Sequence, residues 1–151
     1  MQLYVKEDLF LYQENAQSTK PKESDMSYTH NRVLNDTTID DADMRVRAAL
    51  KDNGFGVLTA IDVKSTMKEK IDVDMPEYRI LGACNPKMAY QAIGIEPRIG
   101  AMLPCNVILR EVDGGIEVSA VDPVASMSAV KNAALHDVAG QVRDMLNTAI
   151  D

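Results

Sequence analysis

The chain has 151 residues, 46% of them apolar and 26% charged, which fits one globular domain with its own core. Its 16 Lys and Arg stand against 23 Asp and Glu, a formal net charge of −7 that repels phosphate backbones and argues against nucleic-acid binding. No apolar run approaches the ~18–20 residues needed to span a membrane.

The opening stretch, MQLYVKEDLFLYQENAQ, lacks the unbroken apolar core and small-residue cleavage site of a signal peptide. The chain therefore reads as cytoplasmic, where thiols stay reduced. Leu3, Val5, Leu9, Phe10 and Leu11 make a short, poorly periodic apolar patch, and the polar QENAQSTKPKESD follows it. Residues 1–25 read as a flexible N-terminal extension and residues 26–151 as the single compact domain.

SYTHNRVL alternates weakly and predicts a first strand. Thr38 and Asp41 have the spacing of a capping box. Behind them Ile39, Ala42, Val46, Ala49 and Leu50 fall on one helical face, and Asn53-Gly54 ends the helix. FGVLTAID predicts a second strand. Asp62 can cap a short helix carrying Val63, Met67 and Ile71. YRILGAC predicts a third strand, and Asn85-Pro86 starts a helix with a cap and a proline at its first position. EPRIG reads as a turn or one helical turn. CNVILREV and IEVSAVD pair through Asp113-Gly114-Gly115 as a hairpin. The last helix should bury Leu135, Val138, Val142, Met145 and Leu146. A hairpin beside helical crossovers predicts an α+β fold, with the long helices covering one face of a mainly antiparallel sheet.

The two cysteines of the chain, Cys84 and Cys105, are each followed by an asparagine. Cys84 leaves one strand and Cys105 enters the next. If those strands are antiparallel, Cys84-Asn85 and Cys105-Asn106 meet at one rim. If they are parallel, the thiols stand a strand length apart, roughly 17–20 Å. The plainer reading makes both thiols small buried hydrophobes and Asn85 only a helix cap. Two cysteines are too few for a disulfide framework.

Other candidates are weaker. Lys64 and Lys68 share a helical face and could contact an anion, although Glu69 beside them suits a solvated face. Asp122-Pro123 reads as a turn start more than as a ligand contact. His30 and His136 stand apart from each other and from the cysteines, so no metal site and no cofactor are expected. GFG at 54–56 lacks the remaining spacing of a phosphate-binding loop.

Several segments together carry a family resemblance. These are Gly54-Phe55-Gly56-Val57-Leu58, Asp62-Val63-Lys64, Tyr78 through Pro86, Glu96-Pro97, Ile99-Gly100, Leu103 through Val107, and Asp122-Pro123. From about Met26 to the C-terminus the chain resembles the domain-of-unknown-function 302 family. The resemblance implies a curved antiparallel sheet with helices on one face, similar to the TATA-binding-protein-like fold. It implies no DNA binding and no activity. Where similar sequences have a glutamate after VLT, this chain has Ala60, so no carboxylate role transfers there.

Three functions remain open from the residues. One is a module that binds a small ligand or a partner at the Cys84, Asn85, Cys105, Asn106 rim. A second is a thiol redox protein cycling Cys84 and Cys105. The third is a structural module that forms homodimers through an open sheet edge.

Overall fold

The computed structural model describes residues 27–151, so the expected extension at 1–25 lies outside the described residues. In chain order the elements are β1 (Thr29–Asn35), α1 (Ile39–Asp52), β2 (Gly56–Asp62), α2 (Val63–Ile71), β3 (Tyr78–Cys84) and α3 (Pro86–Ile95). A 3-10 helix (Pro97–Met102) leads to β4 (Cys105–Val112), β5 (Gly115–Val121), α4 (Pro123–Ser126) and α5 (Ala133–Ile150).

The strands form one sheet in the order β1-β5-β4-β3-β2, and each pairing is antiparallel. The expected α+β fold is therefore the observed one. β4 is the central strand, and β3 lies next to it between β4 and β2.

Strand alternation sorts the sheet into two faces. Leu81 and Ala83 of β3, Cys105, Val107 and Leu109 of β4, and Ile116, Val118 and Ala120 of β5 are buried. Their face carries α1, which packs over β2 and β4, and α5, which packs over β5 and β1. The opposite face aligns Ile61, Ile80 and Ile108 across three strands.

The two long helices form where local signals and apolar spacing agree. Thr38 caps α1 by accepting a hydrogen bond from the Asp41 amide at 3.2 Å, and Ile39, Ala42, Val46 and Leu50 are buried. Gly54, just past the end of α1, has φ of 85°, a left-handed conformation that glycine adopts without a Cβ penalty. Asn132 caps α5 by accepting from the Leu135 amide, and Leu135, Val138, Val142 and Leu146 are buried. Met145, expected in the core, is only partly buried at its margin, near Gly54.

The short helix α2 differs from the reading of its apolar spacing. It packs beside β2 and β3 with none of its residues buried, and Ile71 is exposed. Its stability comes from its ends. Asp62 accepts from the Ser65 amide at 3.0 Å and from the Ser65 hydroxyl at 2.9 Å, and those two hydrogen bonds hold its carboxyl below the usual carboxylate range.

Candidate functional site: a sulfur-lined cavity at the β3–β4 end

β3 ends at Cys84 and β4 begins at Cys105, and Ala83 pairs directly with Cys105. The two thiols therefore lie at the same end of neighbouring antiparallel strands, as the antiparallel alternative required. Both are free: Cys105 is buried and Cys84 is half-buried.

Each residue next to the thiols has a local reason for its position. Asn85 caps α3 by accepting from the Met88 amide at 3.2 Å, and Pro86 opens the helix. The cap turns the chain sharply at the rim and leads α3 back over α5. Gly54 leaves room for this arrangement, because a Cβ there would stand 3.0 Å from the Asn85 side-chain nitrogen. On the far side the chain enters β4 through a cis Leu103–Pro104 peptide. Gly82 admits that proline: a Cβ on Gly82 would stand 2.6 Å from the Pro104 ring and 2.2 Å from the Thr59 hydroxyl.

Cys84, Asn85 and Cys105 line one cavity between the strand ends and helices α3, α4 and α5. Its wall is otherwise apolar, including Phe55, Leu135 and Val142, and two more sulfur side chains, Met88 and Met127, complete it. The remaining void is about 30 Å³, room for one or two water-sized occupants. No acidic or basic side chain is among the lining residues.

This environment keeps the thiols protonated. Burial, with a smaller contribution from the negative charge Cys84 would carry, pushes the Cys105 thiol up to about 11. Burial also raises Cys84. Reactive cysteines need a nearby cation or base to hold the thiolate, and the lining offers none. A buried, neutral thiol pair is suited to binding and poorly suited to nucleophilic attack.

The second Cys-Asn dipeptide does not repeat the first in space. Asn106 is exposed, pairs with Gly82 and is not part of the cavity wall. Successive strand residues point to opposite faces, so an inward Cys105 turns Asn106 outward. Asn85 escapes that rule because it follows the last residue of its strand.

Lys64 and Lys68 are far from an anion site in character. Lys64 pairs with Glu77 at 3.4 Å, and Lys68 pairs with Asp72 at 2.8 Å and Asp74 at 3.4 Å. Hydrogen bonding to Asp72 raises the Lys68 pKa, with further support from Asp74. The hollow beside them is lined by Asp62, Asp74, Glu69 and Glu77 as well, so carboxylates already answer the lysines. Asp122 accepts from the Val124 amide at 2.9 Å as the cap of α4. His30 contacts Asp151 at 2.6 Å and His136 contacts the Val130 carbonyl at 2.6 Å, each at a separate place.

Two features were missed in the sequence. Met88 and Met127 bring the sulfur content of the cavity to four side chains; Met88 lies on α3 one turn beyond its cap, but Met127 follows α4 with no periodic signal. The second is an ion-pair network in which Arg79 binds Asp40 at 2.6 Å and Asp43 at 3.2 Å, while Arg47 also binds Asp43. It ties β3 to α1, and the Asp40 hydrogen bond raises the Arg79 pKa.

Among the described residues no group of three or more His, Cys, Asp or Glu side chains could hold a metal ion. No helix among them is long and apolar enough to cross a membrane. No curated protein matches the chain. A solved structure of an uncharacterized conserved protein from Bacillus stearothermophilus, itself assigned to DUF302, superposes with a TM-score of 0.78 at 23% identity. The match covers 83% of this chain and 98% of that one, and it shows a common fold. The family model for the domain of unknown function DUF302 matches residues 30–151. On that match, the chain belongs to the DUF302 family.

Proposed function

We propose that this protein is a cytoplasmic small-ligand binding module, without catalysis of its own, whose site is the cavity at Cys84, Asn85 and Cys105. The observation that carries the reading is the convergence of both cysteines of the chain on one apolar cavity. Ordinary packing asks only that each thiol be buried somewhere. Here they share a wall, one half-buried at the rim and one inside it.

The elevated pKa of both thiols supports binding over redox cycling, because disulfide exchange proceeds through a thiolate. Homodimer formation through β1 or β2, the two sheet edges, is compatible with this reading and independent of it. Residues 1–25 serve as an extension outside the binding domain.

The test is protection of Cys84. Alkylation by iodoacetamide is followed by intact mass, with and without a small neutral apolar probe such as xenon, which a void of this size can admit. Saturable slowing of Cys84 modification is expected. Unchanged alkylation across such probes, together with rapid air oxidation to an intramolecular disulfide, would favour the redox reading instead.

A further inference from the structure

We infer that the cavity is a binding site for a single soft monovalent metal ion, copper(I), held by the sulfur atoms of Cys84, Cys105, Met88 and Met127. This rests on the ligand-binding reading of the cavity and names the class of its ligand.

The donor set makes the selection. Four of the residues lining the cavity carry sulfur, and none carries a carboxylate or an imidazole. Hard cations such as calcium and magnesium need oxygen ligands. Structural zinc is bound by thiolate, imidazole or carboxylate, four at a time, and only two such groups stand here. Mixed thiolate and thioether sulfur selects copper(I). The wall's one polar alternative, the Asn85 side-chain oxygen, already accepts the Met88 amide.

Size agrees with softness. A void of about 30 Å³ suits one ion and excludes a metal cluster. The donors also come from separate supports. Cys84 and Cys105 stand on paired strands, Met88 on the first turn of α3, and Met127 just beyond α4. Sulfur-bearing residues therefore line the void both from the sheet and from the helices that roof it.

Binding needs no oxidant or reductant. Copper stays at +1, each thiol releases its proton to solvent as its sulfur takes the ion, and the two thioethers donate as neutral ligands. Half-buried Cys84, at the rim, is the first sulfur an incoming ion meets.

The experiment is an anaerobic titration of the full chain with copper(I) against a chromophoric copper(I) chelator, with zinc(II) as a parallel arm. One copper(I) per chain is expected, with sulfur-only coordination in X-ray absorption and no matching zinc site. Cys84→Ser and Cys105→Ser should each abolish stoichiometric binding. Met88→Leu and Met127→Leu keep side-chain volume close to constant and should each weaken binding by about tenfold or more, no less than loss of an outer-shell partner costs a metal site. Circular dichroism of the two leucine variants separates ligand loss from misfolding. Absence of a stoichiometric copper site, nitrogen or oxygen ligands in the absorption spectrum, or unchanged affinity in Cys105→Ser would overturn the inference. If copper fails while xenon still protects Cys84, the ion is wrong and the ligand-binding module stands. If both fail, both readings fall.

Discussion

Cys105 carries a pH signature of its own. Its thiol is raised by burial from its ordinary value of 9.0 to about 11 in the folded chain. The unfolded chain therefore releases this proton before the folded one does. The resulting stability is fully present below pH 9 and is lost as pH rises through 11, by roughly 3 kcal/mol in total. Chemical denaturation of wild type and Cys105→Ala across that range reads it directly. The wild-type advantage should shrink between pH 9 and 11, and a constant difference would mean that the thiol is not desolvated. Gly82 supplies the second residue-scale prediction. Gly82→Ala forces a methyl group against the Pro104 ring and the Thr59 hydroxyl and should cost about 2 kcal/mol by overpacking. An effect below about 0.5 kcal/mol, the range of ordinary surface substitutions, would mean that the strand end relaxes freely. At this scale the sequence was legible wherever a side chain acts on its own neighbours. Asn85, Thr38 and Asp62 cap helices as their positions imply. Asn106 could have been placed: the strand was read from Cys105, as observed, and alternation turns Asn106 away from an inward Cys105, which the matched Cys-Asn dipeptides obscured.

Among the elements, α5 holds the cavity wall and the core together. Leu135, Val138 and Val142 line the cavity, while Leu146 is fully buried further along the helix. Val142→Asp places an unpaired carboxylate in that wall and should cost about 3–5 kcal/mol, measured by urea denaturation. A loss under about 1 kcal/mol would mean that α5 is not docked as described. Asn85→Ala removes the cap of α3 and should cost about 1 kcal/mol, while also speeding alkylation of Cys84 because α3 roofs the cavity. The periodicity of α1 and α5 was readable since each buries a full apolar stripe. That of α2 misled, because beside β2 and β3 Val63 and Met67 are only half-buried and Ile71 stays exposed. Met88 and Met127 escaped notice for a related reason. Their common wall is made by α3 and α4 packing on α5, a tertiary event that no local spacing encodes.

For the whole molecule, one sheet and its helices place the chemistry. The antiparallel β3–β4 pairing brings two thiols that are 21 positions apart in the chain to one end of the sheet, and three helices close over them. The α+β class followed from the hairpin and helix signals and the β3–β4 pairing was one of two alternatives; the four-sulfur wall was not visible in the sequence. Residues 27–151 close their own core, with its apolar cluster running from Leu34 to Ile150. Deletion of residues 1–25 should therefore leave the melting temperature nearly unchanged, and a fall of about ten degrees, more than 1 kcal/mol in a domain of this size, would assign that segment a packing role. The central claim is that Cys84 and Cys105 share one cavity that can open to a ligand. Phenylarsine oxide tests it most directly, since its arsenic bonds two thiols at once with loss of one water. Native mass spectrometry of the folded chain should show one arsenical adduct per chain, absent from Cys84→Ser and from Cys105→Ser. An adduct that forms only after unfolding would contradict the claim and leave the two thiols as separate packing residues.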